Sequence, residues 1–414
     1  MADSGTVNLN KYSECLEYIE SYWEKLRIHS PHDHGTLIGL PRPFLTANHA
    51  IFQEMYYWDS FFISVGLKFT PFAHHIVDMT ENLLYLFERF GRIPNASRFY
   101  FLSRSQPPFL TSMIKLSLEV LEAQGASHHE TRNFLERGYL IAQKEYWSIW
   151  RGKQFPDQRE MKRYLSRYFD LNIWHNAAEA ESGWDMTPRF ENRCLDFLAV
   201  DLNSLLFQYE SDFMDFSKIV GDGEFEGWKR RRERRREVMN EVLWDAEKNF
   251  FFDFDLAHER RSTFYSLAGF FPLWAGITTP EQSSRMVELS LQKFEYDFGL
   301  ATTEEWKPAQ GEVHKQWAWP NGWAPLHWIV VEGLARQGFE KEATRLATKW
   351  LDLVNRIYLQ NNTNFEKYDV VRGERAVEDR YPDQLGFGWT NGVFLSFVNF
   401  LKEGKFEKTP HHRR

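Results

Sequence analysis

Glu181-Ser182-Gly183-Trp184-Asp185-Met186-Thr187-Pro188-Arg189-Phe190 puts a carboxylate, Asp185, directly after an indole and just beyond two small residues. Ser182 and Gly183 let a ligand approach the backbone closely. A ring beside an acid desolvates it and raises its pKa, so that it can hold a proton and donate it to a leaving oxygen. Chemistry of that kind calls for a second carboxylate far along the chain. Glu366, in Asn364-Phe365-Glu366-Lys367-Tyr368-Asp369, is the candidate. Whatever lies between must fold so as to hold the two across one small molecule.

The intervening chain reads as helix, then a loop rich in Gly, Pro and aromatic residues, then helix, repeated many times. Residues 9–28 carry Tyr12, Cys15, Leu16, Ile19, Trp23 and Leu26 at helical spacing. The span from His74 to Phe90 is amphipathic, with Gly91 placed as its C-cap. Further helices are expected over 56–66, 109–123, 129–150, 192–212, 225–243, 263–274, 280–294, 321–337, 339–357 and 388–402. Pro107-Pro108 marks the start of the one near Phe109. Strand signals are few, the best being Asn249 to Leu256. No Pro/Ser-rich linker divides the chain, so residues 1–414 read as one all-α domain.

Composition narrows the function. Net charge is −8 and the pI about 6.0, which argues against nucleic acid or an anionic membrane as the main partner. The Lys229–Arg236 run is the one charge block. It is short and interrupted by Glu233, and reads as a solvated helix face beside Val238, Val242 and Leu243. No apolar run approaches the roughly 18 residues that span a bilayer, and no leader is visible at Met1-Ala2-Asp3-Ser4-Gly5. A soluble, cytoplasmic protein is expected. Cys15 and Cys194 read as buried free thiols. The 14 His are scattered, with His314 and His327 the nearest to a site and each more fitting as a structural hydrogen-bonder.

Aromatic residues make up 17% of the chain, including 16 Trp and 36 Phe. Most must be core, yet many stand beside Gly, Pro and acids near helix ends. Five blocks stand out besides the Asp185 run: Gln53-Glu54-Met55-Tyr56-Tyr57-Trp58-Asp59; Pro94-Asn95-Ala96-Ser97-Arg98 leading into Leu102-Ser103-Arg104-Ser105-Gln106; Gln316-Trp317 leading into Pro320-Asn321-Gly322-Trp323; Glu366-Lys367-Tyr368-Asp369; and Gly386-Phe387-Gly388-Trp389. Sugars are held by stacking on aromatic faces and by hydrogen bonds from acids, amides and guanidinium groups. These blocks supply both sets.

At Tyr-Tyr-Trp-Asp-Ser (56–60), Ser-Arg-Ser-Gln-Pro-Pro-Phe (103–109), Ser-Gly-Trp-Asp (182–185), Pro-Asn-Gly-Trp-Ala-Pro-Leu (320–326), Glu-Lys-Tyr-Asp (366–369) and Gly-Phe-Gly-Trp-Thr-Asn-Gly-Val (386–393), the chain resembles the trehalases, inverting hydrolases of glycoside hydrolase family 37, and their clan relatives in family 63. The resemblance runs from about Leu40 to Phe400. It implies an (α/α)6 toroid, the six-hairpin glycosidase fold. It also implies Asp185 as general acid and Glu366 as general base, with carboxyls about 6.5–9.5 Å apart to admit a water. Phe52, Tyr57, Trp58, Asp59, Asn95, Arg104, Gln106, Gly183, Gln316, Trp317, Asn321, Trp323, Arg380 and Trp389 are the expected substrate contacts. Neither metal nor cofactor is called for, and the expected partner is a small glycoside.

Three departures bear on the substrate. Ile51 stands where trehalases carry an Arg, Ala318 follows Gln316-Trp317 where they carry Asp, and Arg380 replaces a Glu. A pocket that loses acids and gains a guanidinium suits a carboxylate, so the favoured substrate at this stage is an anionic α-mannosyl- or α-glucosylglycerate. Trehalose is the alternative, and an inactive sugar-binding clan member a more distant one.

Overall fold

The computed structural model describes residues 8–153, 156–162, 164–376 and 384–406. Its helices are α1 (Ser13–Leu26), α2 (Tyr57–Leu67), α3 (His74–Phe90), α4 (Leu110–Ala123), α5 (His128–Glu145), α6 (Pro156–Arg159), α7 (His175–Glu181), α8 (Val200–Val220), α9 (Phe225–Val242), α10 (Phe271–Ala275), α11 (Pro280–Leu289), α12 (Ala324–Arg336), α13 (Glu340–Asn361) and α14 (Gly388–Glu403). They sort by burial. Every residue of α2 is buried, and so is α12 from Ala324 to Leu334. A helix apolar on all sides belongs inside. By contrast α13 buries one face, with Ala343, Leu346, Ala347, Trp350 and Val354 at helical spacing.

The packing follows that sorting. α2 lies against α4, α4 against α8, α8 against α10, α10 against α12, α12 against α14, and α14 back against α2. This closes an inner ring. α1, α3, α5, α9 and α13 lie outside it, and α11 is tied to α9 by Gln282 Nε2 donating to Asn240 Oδ1 at 2.7 Å. Inner and outer helices alternate along the chain, the (α/α)6 toroid. No helix among the described residues is long and apolar enough to cross a membrane.

Helix boundaries depart from expectation where loops feed the ring. The helix expected at 192–212 starts at Val200, after a 3-10 turn and a short strand, Phe197–Leu198. The helix expected at 321–337 gives its first three residues to a strand, Asn321–Trp323, paired antiparallel with Lys367–Asp369. Pro325 in the first turn of α12 fixes where the helix begins. The expected 263–274 helix is a 3-10 turn followed by the short α10, and α7 was not anticipated. The strand signal at 249–256 resolves into two two-residue strands, Phe250–Phe251 and Phe254–Asp255.

Two buried features fix this geometry. Arg189, fully buried, spans Asp201 on α8 (2.7 and 2.8 Å) and Asp253 (2.7 Å at both oxygens), and so staples the Asp185 loop to the ring. The charge block on α9 is also not all solvated: Arg235 is fully buried against Glu210 at 3.0 Å, while Val238, Val242 and Leu243 are buried as expected. Cys15 and Cys194 are both buried and free.

The ring closes where α2 crosses α14. A Cβ at Gly392 would collide with the carbonyl oxygen of Phe62, and one at Gly66 with that of Gly392. The colliding atoms are backbone, so neither can move alone. Gly392→Ala is therefore expected to lower stability by about 1–3 kcal/mol, the cost range for an overpacked core, read as a lower midpoint in urea unfolding. An unchanged midpoint would show that the two helices separate freely.

Candidate active site

The loops entering α2, α4, α8, α12 and α14 meet at one end of the ring and enclose a cleft of about 750 Å³. Both candidate carboxylates line it: Asp185 on the loop after α7, and Glu366 at the start of the Lys367–Asp369 strand. Phe52, Trp58, Asp59, Asn95, Arg104, Gln106, Gly183, Trp317, Trp323 and Trp389 line it too.

Each of these is fixed from behind. Gly183 has φ +75°, and a Cβ there would stand 2.6 Å from the Trp58 ring, so only glycine admits that indole. Trp317 and Trp323 stack at 3.8 Å, nearly parallel, and Trp389 meets Trp323 edge-on at 5.8 Å. Asn95 spends its amide hydrogens on the carbonyls of Ser105 (3.1 Å) and Ala180 (3.2 Å), leaving Oδ1 as its acceptor. Gln106 Oε1 accepts from the Trp58 backbone at 3.0 Å. Arg104 donates to Asp170 at 3.3 Å and lies 5.0 Å from the Phe101 ring.

Four expectations change. Tyr57 does not line the cleft: its hydroxyl is buried between Glu145 (3.1 Å) and Tyr209 (3.0 Å) and receives the Leu110 N–H at 3.1 Å. Tyr57 begins α2 just before Trp58 and Asp59, but its side chain leaves the helix on the core side. Asn321 is also behind the site, its Nδ2 donating to the Gln316 carbonyl at 3.0 Å. Gln316 is buried beneath the cleft, donating from Nε2 to Asp185 Oδ2 at 3.0 Å. Trp184 is turned away from Asp185's cleft face into the core, against Trp317 at 5.6 Å and under Arg189 at 4.8 Å. The rings of the cleft come from other elements. Arg380 lies outside the described residues.

Sequence reasoning passed over Glu179, Lys315 and the role of Lys367. Glu179 lines the cleft and accepts from the backbone N–H of Met186 (2.8 Å) and Thr187 (3.3 Å), bracing the acid loop. Burial pushes its carboxyl up to about 7. Two acids, Glu179 and Glu181, set among alanines just before the Asp185 run were the available signal. Lys315 donates to the Thr187 carbonyl at 3.2 Å. Lys367 donates to Glu366 at 3.3 Å and to Gln316 at 3.2 Å. Burial first, then the charges of Glu366 and Asp185, hold the Asp59 carboxyl well above the ordinary carboxylate range.

His327 is structural, as expected. It is buried against Trp350, bonded to the Leu300 N–H (2.8 Å) and the Trp323 carbonyl (2.8 Å), and burial pushes its pKa down to about 3. His314 is not among the cleft-lining residues. His74, His75 and Asp78 place ligand-type atoms within 4.8 Å of one another at the start of α3, a grouping the sequence reading missed; none of them lines the cleft.

A closed double ring of helices with paired carboxylates in a Trp-walled cleft at one end defines a six-hairpin glycosidase scaffold. The chain belongs to the trehalase family, whose model, Trehalase, matches residues 7–180 and 170–402. A cytosolic neutral trehalase from Kluyveromyces lactis is 32% identical over 84% of this chain and 55% of its own length, and one from Saccharomyces cerevisiae 31% over 88% and 57%. The chain thus spans little more than half the length of these curated relatives. Among solved structures, the neutral trehalase Nth1 from Saccharomyces cerevisiae superposes with a TM-score of 0.78 at 27% identity, over 93% of this chain and 79% of that one. A family 63 mannosylglycerate hydrolase from Thermus thermophilus gives 0.68 at 18% over 92% and 99%, a likeness of fold.

The network beneath Trp58 yields a pH dependence. Burial raises the Glu145 carboxyl from 4.5 to about 7, so the folded state holds that proton more tightly than the unfolded chain does. Its ionisation therefore costs stability above about pH 7, and the cost disappears as pH falls toward 4.5. Relative to Glu145→Gln, the wild type should gain about 1–3 kcal/mol between pH 8 and pH 5, measured by urea unfolding of both proteins. A constant difference would place the Glu145 ionisation outside that window.

Proposed function

We propose that the chain is an α,α-trehalase whose catalytic unit is the single domain 1–414, hydrolysing trehalose to two glucose molecules with inversion. The observation that carries this reading is the placement of Asp185 and Glu366 on the wall of one cleft, with Trp58, Asp59, Asn95, Arg104 and Gln106 beside them. Asp185 donates a proton to the glycosidic oxygen as its bond to the anomeric carbon breaks. Glu366 takes a proton from the water that attacks the same carbon from the opposite face. The cleaved ring leaves as β-glucose and the other as α-glucose. The relatives named as cytosolic neutral trehalases support a cytosolic setting for this one.

A neutral substrate fits better than the anionic glycosylglycerate that the sequence departures favoured. Ala318 is fully buried and does not line the cleft, so the acid missing there says nothing about the aglycone. Ile51 does line the mouth, but it adds no charge. Among the described residues, the cations at the wall already have partners: Arg98 holds Glu54 at 3.0 Å, Arg104 holds Asp170, and Lys315 is bonded to Thr187. Glu54, Glu179 and Glu312 also face the cleft. Against these described residues, a ligand carboxylate would have to displace one of those pairs and approach acids.

Two measurements test this. Wild-type enzyme mixed with trehalose should give equal α- and β-glucose in the first NMR spectra, before mutarotation. Asp185→Asn should keep the fold and lose about 10²–10⁴-fold in turnover, the usual contribution of a general acid or base. Faster hydrolysis of mannosylglycerate or glucosylglycerate than of trehalose, or α-glucose as the sole first product, would overturn the reading.

A further inference from the structure

The two carboxylates of the cleft are joined from behind by a buried chain of polar side chains. Lys367 Nζ donates to Glu366 Oε2 at 3.3 Å and to Gln316 Oε1 at 3.2 Å. Gln316 Nε2 donates to Asp185 Oδ2 at 3.0 Å and to the Asp185 carbonyl at 3.2 Å. Lys367 is 2% exposed and Gln316 1%. Both are locked by their surroundings: the Lys367 ammonium lies 5.2 Å from the Trp323 ring, and the Gln316 carbonyl takes the Asn321 amide and the Trp323 indole N–H at 3.0 and 3.2 Å.

The orientation of the Gln316 amide follows from chemistry. An ammonium can only donate and a backbone carbonyl can only accept. So Oε1 must face Lys367, and Nε2 must face Asp185. The N–H at Oδ2 makes that oxygen an acceptor whether Asp185 is charged or neutral. With the N–H at Oδ2, a neutral Asp185 favours its proton on Oδ1.

We infer that Lys367 is a positioning residue that sets opposite protonation states on the two carboxylates: directly, it holds Glu366 ionised as the base, and through the amide of Gln316 it confines the proton of Asp185 to Oδ1, the oxygen that donates. This rests on the acid and base roles proposed above. Other charged groups face the pair. Asp59 on α2 bears on both carboxylates, and Glu179 on α7, itself countered by Lys315, bears on Asp185. Both acids, when ionised, press the pair toward protonation. Among the described residues Lys367 is a cation bonded directly to Glu366, so its removal should show chiefly on the base.

The test is the pH profile of kcat/KM on trehalose, with α-glucosyl fluoride as a second substrate whose leaving group needs little protonation. Lys367→Met, neutral and similar in length, should move the acidic limb upward by at least about one pH unit, as expected for loss of an opposite charge at contact distance, with KM nearly unchanged. Gln316→Met should leave the acidic limb in place and move the basic limb upward, because an N–H bond favours the carboxylate form. It should slow trehalose by about 10²-fold while slowing α-glucosyl fluoride far less. Limbs that stay in place while kcat falls equally on both substrates would show a merely structural role and overturn the inference. Should Lys367→Met fail to fold, the Gln316→Met profile decides it alone. A wild type inert on both substrates would instead overturn the proposed function, and this inference with it.

Discussion

The contact on which the molecule turns is the crossing of α2 and α14, where Gly66 and Gly392 let two backbones meet without side chains between them. It joins the second helix of the chain to the last and converts a row of hairpins into a closed ring. The same two helices begin with the residues that face each other in the cleft. Trp58 and Asp59 sit in the first turn of α2, and Trp389 in the first turn of α14, donating from its indole to the Glu366 carbonyl at 3.0 Å. Ring closure and the cleft thus share a boundary. A shift of the crossing would carry Asp59 away from Glu366.

Inside that ring the polar groups are not incidental. A charge buried without a partner costs several kcal/mol, and three buried guanidinium groups here are matched. Arg189 has two aspartates, Arg159 has Glu181 and Arg235 has Glu210. These pairs add little net stability compared with apolar packing. What they fix is position. Glu181 also accepts from the backbone of Ser105 and Phe169, so the acid loop, the Arg104 loop and the segment before α7 are held in one register.

The succession of helices was legible from periodicity and the Gly/Pro-rich loops between them, and the toroid came with the family resemblance; the difference between inner and outer helices is what the structure adds. α3 and α13 show one apolar face, while α2 and α12 are apolar nearly all round. Asp185 was singled out by Ser182, Gly183 and Trp184 just before it, and Glu366 as a second carboxylate within the 364–369 run; that both line one cleft is what the structure adds. Tyr57 and Asn321 were misplaced because a motif fixes residue type and not which side of a turn a side chain leaves from. Helix starts at Val200 and Ala324 were misplaced because short strand pairings, such as Gly322 with Tyr368, depend on a partner far along the chain. Ala318 misled for a related reason. A substitution has meaning for a ligand only if the position faces it, and burial is a tertiary property.

Trp184 carries that lesson to the chemistry. Adjacent to Asp185, it looked like the group that tunes the acid. The structure gives it to the core, stacked toward Trp317 and capped by Arg189, and so it shapes the loop instead. Asp185 itself takes a hydrogen bond from an amide of a segment far away in sequence, whose orientation is dictated by a lysine farther still. Desolvation by an indole raises a carboxyl's pKa without selecting which oxygen carries the proton. A hydrogen bond acts on one. An acid that must deliver its proton to a single glycosidic oxygen gains more from the second kind of control, because a proton on the wrong oxygen is lost to the reaction even when the pKa is right.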